Sequence, residues 1–202
     1  VWYKNRNWNG KDQFSPHLLE EIYNLEDALV VAQFLNSFIR HADVVKIANI
    51  AQIVNVIAPI LTRDDEILRQ SIFYVFKLFS EVKSGIALDL AVEGPNYETK
   101  KCGVVEYIDS SAILNEFDRR LVVFLVNRSV EGNIATSIHV SGFRDLRFEE
   151  GAIVTHSDLK AANDFDVPDR VSPEPYDSVT VVGNEVRFEM PRASFVRIIL
   201  KF

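Results

Sequence analysis

The sequence predicts two structural classes in one chain. Residues 1–85 read as the closing α/β units of a (β/α)8 TIM barrel, and residues 86–202 as an antiparallel β-sandwich. Three observations predict this. Tyr23 to Thr62 runs from a capped amphipathic helix through a short β-branched run into a polar exit segment, the order of one α-to-β step in such a barrel. After Gly85 the periodicity shifts to short alternating runs between turn residues, the texture of a sandwich. The first part is also far below the roughly 250 residues of a closed barrel, so it reads as a C-terminal remnant of one.

Each element has its own signal. Val1 to Pro16 interleaves Trp2, Tyr3 and Trp8 with Asn5, Asn7 and Asn9 and reads as a long loop. A helix should begin after Asn24, an N-cap residue with Asp27 in the capping-box position. Leu25, Ala28, Leu29, Ala32, Leu35, Phe38 and Ile39 then recur at helical spacing. Arg40 and His41 close it, where positive charge complements the helix dipole. Val44 to Ile50, VVKIANI, has the pattern of a strand covered on both faces. Ala51 to Asn55 would follow its C-terminal end, where barrel enzymes keep their active sites. Thr62 and Asp65 give a second capping-box signal, for a helix carrying Ile67, Leu68, Ile72, Val75, Phe76 and Phe79 and ending near Ser84-Gly85.

Beyond Gly85, strands are expected over 86–92, 105–115, 120–127, 135–140, 152–156, 179–182, 185–190 and 194–202. Gly183-Asn184 should turn a hairpin. Lys160 to Tyr176, with three prolines, reads as a loop across the sandwich. Tyr107, Phe117, Phe124, Phe143 and Phe148 are expected in its core.

Composition narrows the function. The 29 acidic against 22 basic residues leave a net charge of −7, which argues against a nucleic-acid partner and suits a neutral substrate. Cys102 is the single cysteine, so no intrachain disulfide forms, and with four scattered histidines no zinc constellation arises. Apolar runs such as Ile53 to Leu61 are too short to span a membrane. The chain opens Val-Trp-Tyr without an initiator Met, so a segment upstream is expected and localisation is unassigned: cytoplasmic if bacterial, with secretion the alternative.

Three residues could carry substrate contacts. Trp2 offers an indole face on which a sugar's C–H face packs, or packs against neighbouring loops. Gln52, set among apolar neighbours at a strand exit, needs partners that a sugar hydroxyl or local backbone could supply. Asn55 shares that segment and could equally bind loop backbone. The acidic pairs carry no catalytic pattern. Glu20-Glu21 and Glu26-Asp27 are adjacent and point in different directions on a helix, and acids in a first turn stabilise it. Asp64-Asp65-Glu66 reads the same way. Asn36, Arg40, His41 and Asp43 read as a polar network at a helix end.

The blocks IYNLEDALVV (Ile22–Val31), HADVVKIA (His41–Ala48), AQIVNVIAPILT (Ala51–Thr62), RQSIFYVF (Arg69–Phe76), VNR (Val126–Arg128) and DLKAAN (Asp158–Asn163) occur in order. In these the chain resembles the retaining α-L-arabinofuranosidases of glycoside hydrolase family 51. The resemblance implies that the sandwich is a jelly roll. It also implies that Val1-Trp2-Tyr3 ends a motif of the form DEWNVWY whose Glu is the nucleophile. That Glu would stand three positions before Val1, with the acid/base Glu on an earlier strand, so no catalytic residue is expected within this chain. By resemblance Trp2 and Gln52 contact the arabinofuranose ring, and the partner is an arabinose-containing oligo- or polysaccharide. No metal or organic cofactor is implied. A homo-oligomer, or association with the missing N-terminal part, is expected. Asn49 departs from the family, whose members often carry Cys there. The rival expectation is a non-catalytic β-sandwich module for carbohydrate binding or subunit assembly.

Overall fold

The computed structural model describes residues 21–202. Helix α1 spans Leu25–Arg40 and begins as its sequence predicts. The Asn24 side chain accepts from the Asp27 N–H and the Asp27 carboxylate accepts from the Asn24 N–H, so two otherwise orphaned donors are satisfied. Leu25, Ala28, Leu29, Val31, Ala32 and Leu35 are its buried face.

The next segment departs from expectation. Val44 to Ile50 is not a strand: a turn ends at Val44, and the chain runs on irregularly, with Val44 and Ile47 71% and 79% exposed. A strand needs a neighbour for its backbone N–H and C=O groups, and no described strand lies alongside. No barrel closes among the described residues. Residues 60–69 also differ from the predicted helix. They form a hairpin of β1 (Ile60–Arg63) and β2 (Glu66–Arg69), turned at Asp64 with a left-handed φ of 52° and closed by the Arg63–Glu66 ion pair at 2.7 Å. Helix α2 therefore starts later and is shorter, at Ser71–Ser80.

Eleven further strands follow among the described residues: β3 (Ile86–Leu88), β4 (Asn96–Thr99), β5 (Gly103–Glu106), β6 (Ile108–Asn115), β7 (Arg120–Asn127), β8 (Ile134–His139), β9 (Arg147–Thr155), β10 (Glu174–Pro175), β11 (Thr180–Val182), β12 (Glu185–Met190) and β13 (Ser194–Lys201). An antiparallel six-stranded sheet runs β10-β9-β13-β7-β6-β3, a three-stranded sheet runs β11-β12-β8, and β4 and β5 pair as a hairpin. The Gly183-Asn184 turn joins β11 to β12 with Val182 opposite Glu185, and Gly183 has φ 59° as such a turn demands.

Alternation along the central strands builds three layers. On β7, Val122, Phe124 and Val126 face the helices, while Leu121, Val123 and Leu125 face the small sheet. Phe195 and Ile199 of β13 join the first set, and Val196, Ile198 and Leu200 the second. Both faces of the large sheet are thus dry, which explains the near-continuous apolar runs in β7 and β13. Phe79 of α2 stacks on Phe124 at 4.0 Å between ring centroids, locking that helix to the sheet. Val186, Phe188 and Met190 of β12 close the other side. Gly151 of β9 is required by packing, since a Cβ there would lie 2.1 Å from the Tyr176 carbonyl oxygen. Phe124 is in the core as expected; Phe117 is not, standing 96% exposed at the tip of the β6–β7 hairpin.

Candidate functional site

The candidate site is the turn that follows the irregular 44–50 segment. Gln52 is exposed, adopts φ 54°, and its amide is engaged by none of the described residues. Asn55 and Val56 also have left-handed φ values, 60° and 61°. Asn tolerates that region, but a β-branched residue there is a steric outlier. Strain of this kind persists where the surroundings over-determine it and clusters at functional sites.

The surroundings here do over-determine it. At the far end of the turn, Asn55 Oδ1 accepts from the Thr62 N–H at 2.7 Å and Asn55 Nδ2 donates to Thr62 Oγ1 at 2.9 Å. Asn55 N–H donates to the Ile60 carbonyl at 2.7 Å. The Asn55 side chain is therefore engaged in bracing the turn. On the inner side, Glu21 N–H donates to the Val56 carbonyl at 2.7 Å, and Tyr23 Oη donates to the Ile57 carbonyl at 2.8 Å. Burial, then the charges of Asp27 and Glu21, push the Tyr23 phenol up to about 12, so it remains a donor at any working pH. Tyr23 and the buried Gln70 were not singled out by sequence reasoning. In the sequence Gln70 falls inside the helix expected from Thr62 onward, where a polar residue is unremarkable; its burial depends on segments far away in the chain.

Trp2 lies outside the described residues. Asn36 and Arg40 do form a network, but its other members come from the sandwich. Asp109 accepts from Asn36 Nδ2 at 2.9 Å and pairs with Arg40 at 3.1 Å and Arg128 at 3.0 Å. Among the described residues, the carboxylates with displaced pKa values, Glu81, Glu149 and Glu185, are held low. Hydrogen bonds from Arg120 and Arg187 lower Glu149 and Glu185; Glu81 is raised by burial but lowered further by Lys77 and Arg197. A general acid needs the opposite shift. Among the described residues no group of His, Cys, Asp and Glu could hold a metal ion, and no helix is long and apolar enough to cross a membrane.

Comparison with known proteins decides the family. The model of the α-L-arabinofuranosidase C-terminal domain matches residues 1–194. The chain belongs to this family. It is 39% identical over 171 residues to an intracellular exo-α-(1→5)-L-arabinofuranosidase of Acetivibrio thermocellus, covering 81% of this chain and 34% of that protein. It is 34% identical over 211 residues to an exo-α-(1→6)-L-arabinofuranosidase of Bifidobacterium longum, covering 100% and 40%. Among solved structures, a family 51 α-L-arabinofuranosidase from Bifidobacterium longum superposes with a TM-score of 0.88 at 29% identity, over 100% of this chain and 40% of that one. The GH51 arabinofuranosidase from Xanthomonas axonopodis pv. citri gives 0.84 at 30% identity, over 96% and 38%. The chain thus corresponds to the C-terminal domain of GH51 arabinofuranosidases, a family of glycoside hydrolases. It spans about a third of the length of the curated relatives it matches.

Proposed function

We propose that the chain is the C-terminal part of a retaining α-L-arabinofuranosidase, and that residues 1–85 supply the last units of its catalytic barrel. Its catalytic carboxylates would lie upstream, and Trp2 and Gln52 would help hold the sugar. The observation that carries this is the family match over residues 1–194, joined to an exposed Gln52 on a strained, braced turn. In this reading an upstream acid protonates the leaving oxygen while an upstream nucleophile forms a covalent arabinosyl-enzyme, which water then releases with retention. The transition state has oxocarbenium character, so a fixed ring position lowers the barrier. Trp2 would stack on the ring and Gln52 hydrogen-bond a hydroxyl; Asn55 would act on the sugar through the turn it braces. The relatives' names divide between (1→5) and (1→6) linkages. The substrate class proposed is therefore terminal α-L-arabinofuranosyl groups of arabinan- or arabinoxylan-type glycans.

The test is hydrolysis of a chromogenic α-L-arabinofuranoside. These 202 residues by themselves should show no turnover, whereas the full-length polypeptide encoded by the gene should be active. In that polypeptide Trp2→Ala and Gln52→Ala should each lower kcat/KM about tenfold, the worth of one ring contact or one hydrogen bond. Robust turnover by the 202-residue chain would overturn the assignment of its carboxylates as non-catalytic.

A further inference from the structure

Gln70 is fully buried, and its amide joins two segments distant in sequence. Its Oε1 accepts from the Tyr23 N–H at 2.8 Å. Its Nε2 donates to the Glu21 carbonyl at 3.0 Å and to the Ala58 carbonyl at 2.8 Å, which uses both amide hydrogens. Its own backbone N–H donates to the Pro59 carbonyl at 2.9 Å. One tied segment is Glu21 to Tyr23; the other, Val56 to Pro59, leads back to Gln52. The Glu21–Val56 and Tyr23–Ile57 bonds are further rungs of the same latch. The latch holds a strained turn, because Gln52, Asn55 and Val56 are all left-handed, and at the far end Asn55 and the Val54–Ile60 bridge complete the hold.

We infer that Gln70 is a positioning residue for the sugar pocket: its buried amide ties the turn that carries Gln52 to residues 21–23. This rests on the reading of Gln52 and Trp2 as sugar contacts. Gln70 touches no substrate; it acts through the backbone of both segments. A buried amide of this kind is high-stakes, since losing one partner leaves several polar groups unsatisfied at once.

Hydrogen exchange on the 202-residue chain tests the latch directly. Gln70→Leu removes all three side-chain bonds. Gln70→Glu keeps the acceptor for Tyr23 and, when ionised, loses both donors. Tyr23→Phe removes one rung and leaves the packing, so the latch stays testable if a Gln70 variant fails to fold. In Gln70→Leu the amides of Glu21, Tyr23 and Ala58 should exchange about tenfold faster; in Gln70→Glu those of Glu21 and Ala58 should do so, and Tyr23→Phe should be milder, while Phe124 and Ile198 in the central sheet stay unchanged. Equal acceleration everywhere, or none at the turn, would overturn the latch. In the full-length polypeptide, a Gln70 variant that loosens the turn but leaves amide exchange in the central sheet unchanged should lower kcat/KM about tenfold. If Gln52→Ala lowers kcat/KM but a turn-loosening Gln70 variant does not, the positioning role is wrong. If Gln52→Ala itself has no effect, the sugar-pocket reading is what fails, and the exchange result still judges the latch.

Discussion

Asp109 sets one buried carboxylate against the guanidiniums of Arg40 and Arg128, with Asn36 donating a further bond and in turn accepting from Ser111 Oγ at 2.7 Å. Arg197 is the mirror case: a guanidinium 3% exposed, paired with Glu81 of the α2 C-terminus and Glu150 of β9. The two should respond differently to truncation. Asp109→Ala leaves the Arg40 and Arg128 guanidiniums, 36% and 21% exposed, with oxygen partners of neutral groups only, and takes the acceptor from the buried Asn36 amide, so it should cost about 2 kcal/mol by urea unfolding. Arg197→Met frees carboxylates that are 40% and 56% exposed and can rehydrate. It also removes the unpartnered buried Nε, so the change should stay within about 1 kcal/mol. A loss for Arg197→Met as large as for Asp109→Ala would refute this contrast. Arg197 is a charge within the apolar run FVRIIL, and Asp109 stands beside Ser110 and Ser111. Their partners were not legible in the sequence, because Asn36 and Asp109 meet only when α1 lies across β6.

The element most affected by such charges is α2. Its docking combines the Phe79 stack with an ion cluster at its last turn, where Lys77 pairs with Glu81 at 2.8 Å and Arg197 reaches Glu81 from the sheet. Burial raises the Glu81 pKa, but Lys77 and Arg197 more than offset it, and the net value lies below the ordinary 4.5. A depressed folded pKa means that the stabilisation is fully present above the unfolded value and is lost as pH falls through the folded one. Acidification below about pH 4.5 should therefore loosen α2 from the sheet, followed as a falling urea midpoint. Glu81→Gln should be less stable at neutral pH and show a shallower acid slope; an identical slope would exclude Glu81 as a contributor. For the elements themselves, sequence was a good guide where capping is local, as at Asn24. It failed at residues 60–69, where Thr62 and Asp65 mimic a capping box. There Thr62 is instead held by Asn55, and a tight hairpin turned at Asp64-Asp65 pairs Ile60 to Arg69 and Thr62 to Ile67, without the Asn-Gly or Gly-rich turn that would announce it.

On the scale of the molecule, the face around residues 44–54 stands apart. Val44, Ile47 and Ile53 are 71%, 79% and 70% exposed and lie within ten residues of one another. Exposed apolar residues beside unpaired backbone promote association. The 202-residue chain should self-associate through this face in a concentration-dependent manner by sedimentation velocity, and Ile47→Glu with Ile53→Lys should return it to monomer. A clean monomer at high concentration for the unaltered chain would count against it. The same residues gave the clearest strand signal in the sequence, and the two facts share one cause: a segment patterned for burial on both faces is exposed when nothing described covers it.

By itself, the sequence determined the family, the capped helix α1, the sandwich beyond Gly85 and its central buried strands. The family rests on ordered blocks of matching residues; the helix, the sandwich and its strands follow from periodicity, capping and turn chemistry, which act over a few residues. The tertiary structure decided that the helices and the sandwich share one hydrophobic core through Phe79, Phe124 and Phe195. It also decided that Gln70 is a buried tie and that the turn after Gln52 is strained and latched. Those properties depend on which distant backbone groups lie within about 3 Å of an amide, and such proximity arises only when separate segments are packed together.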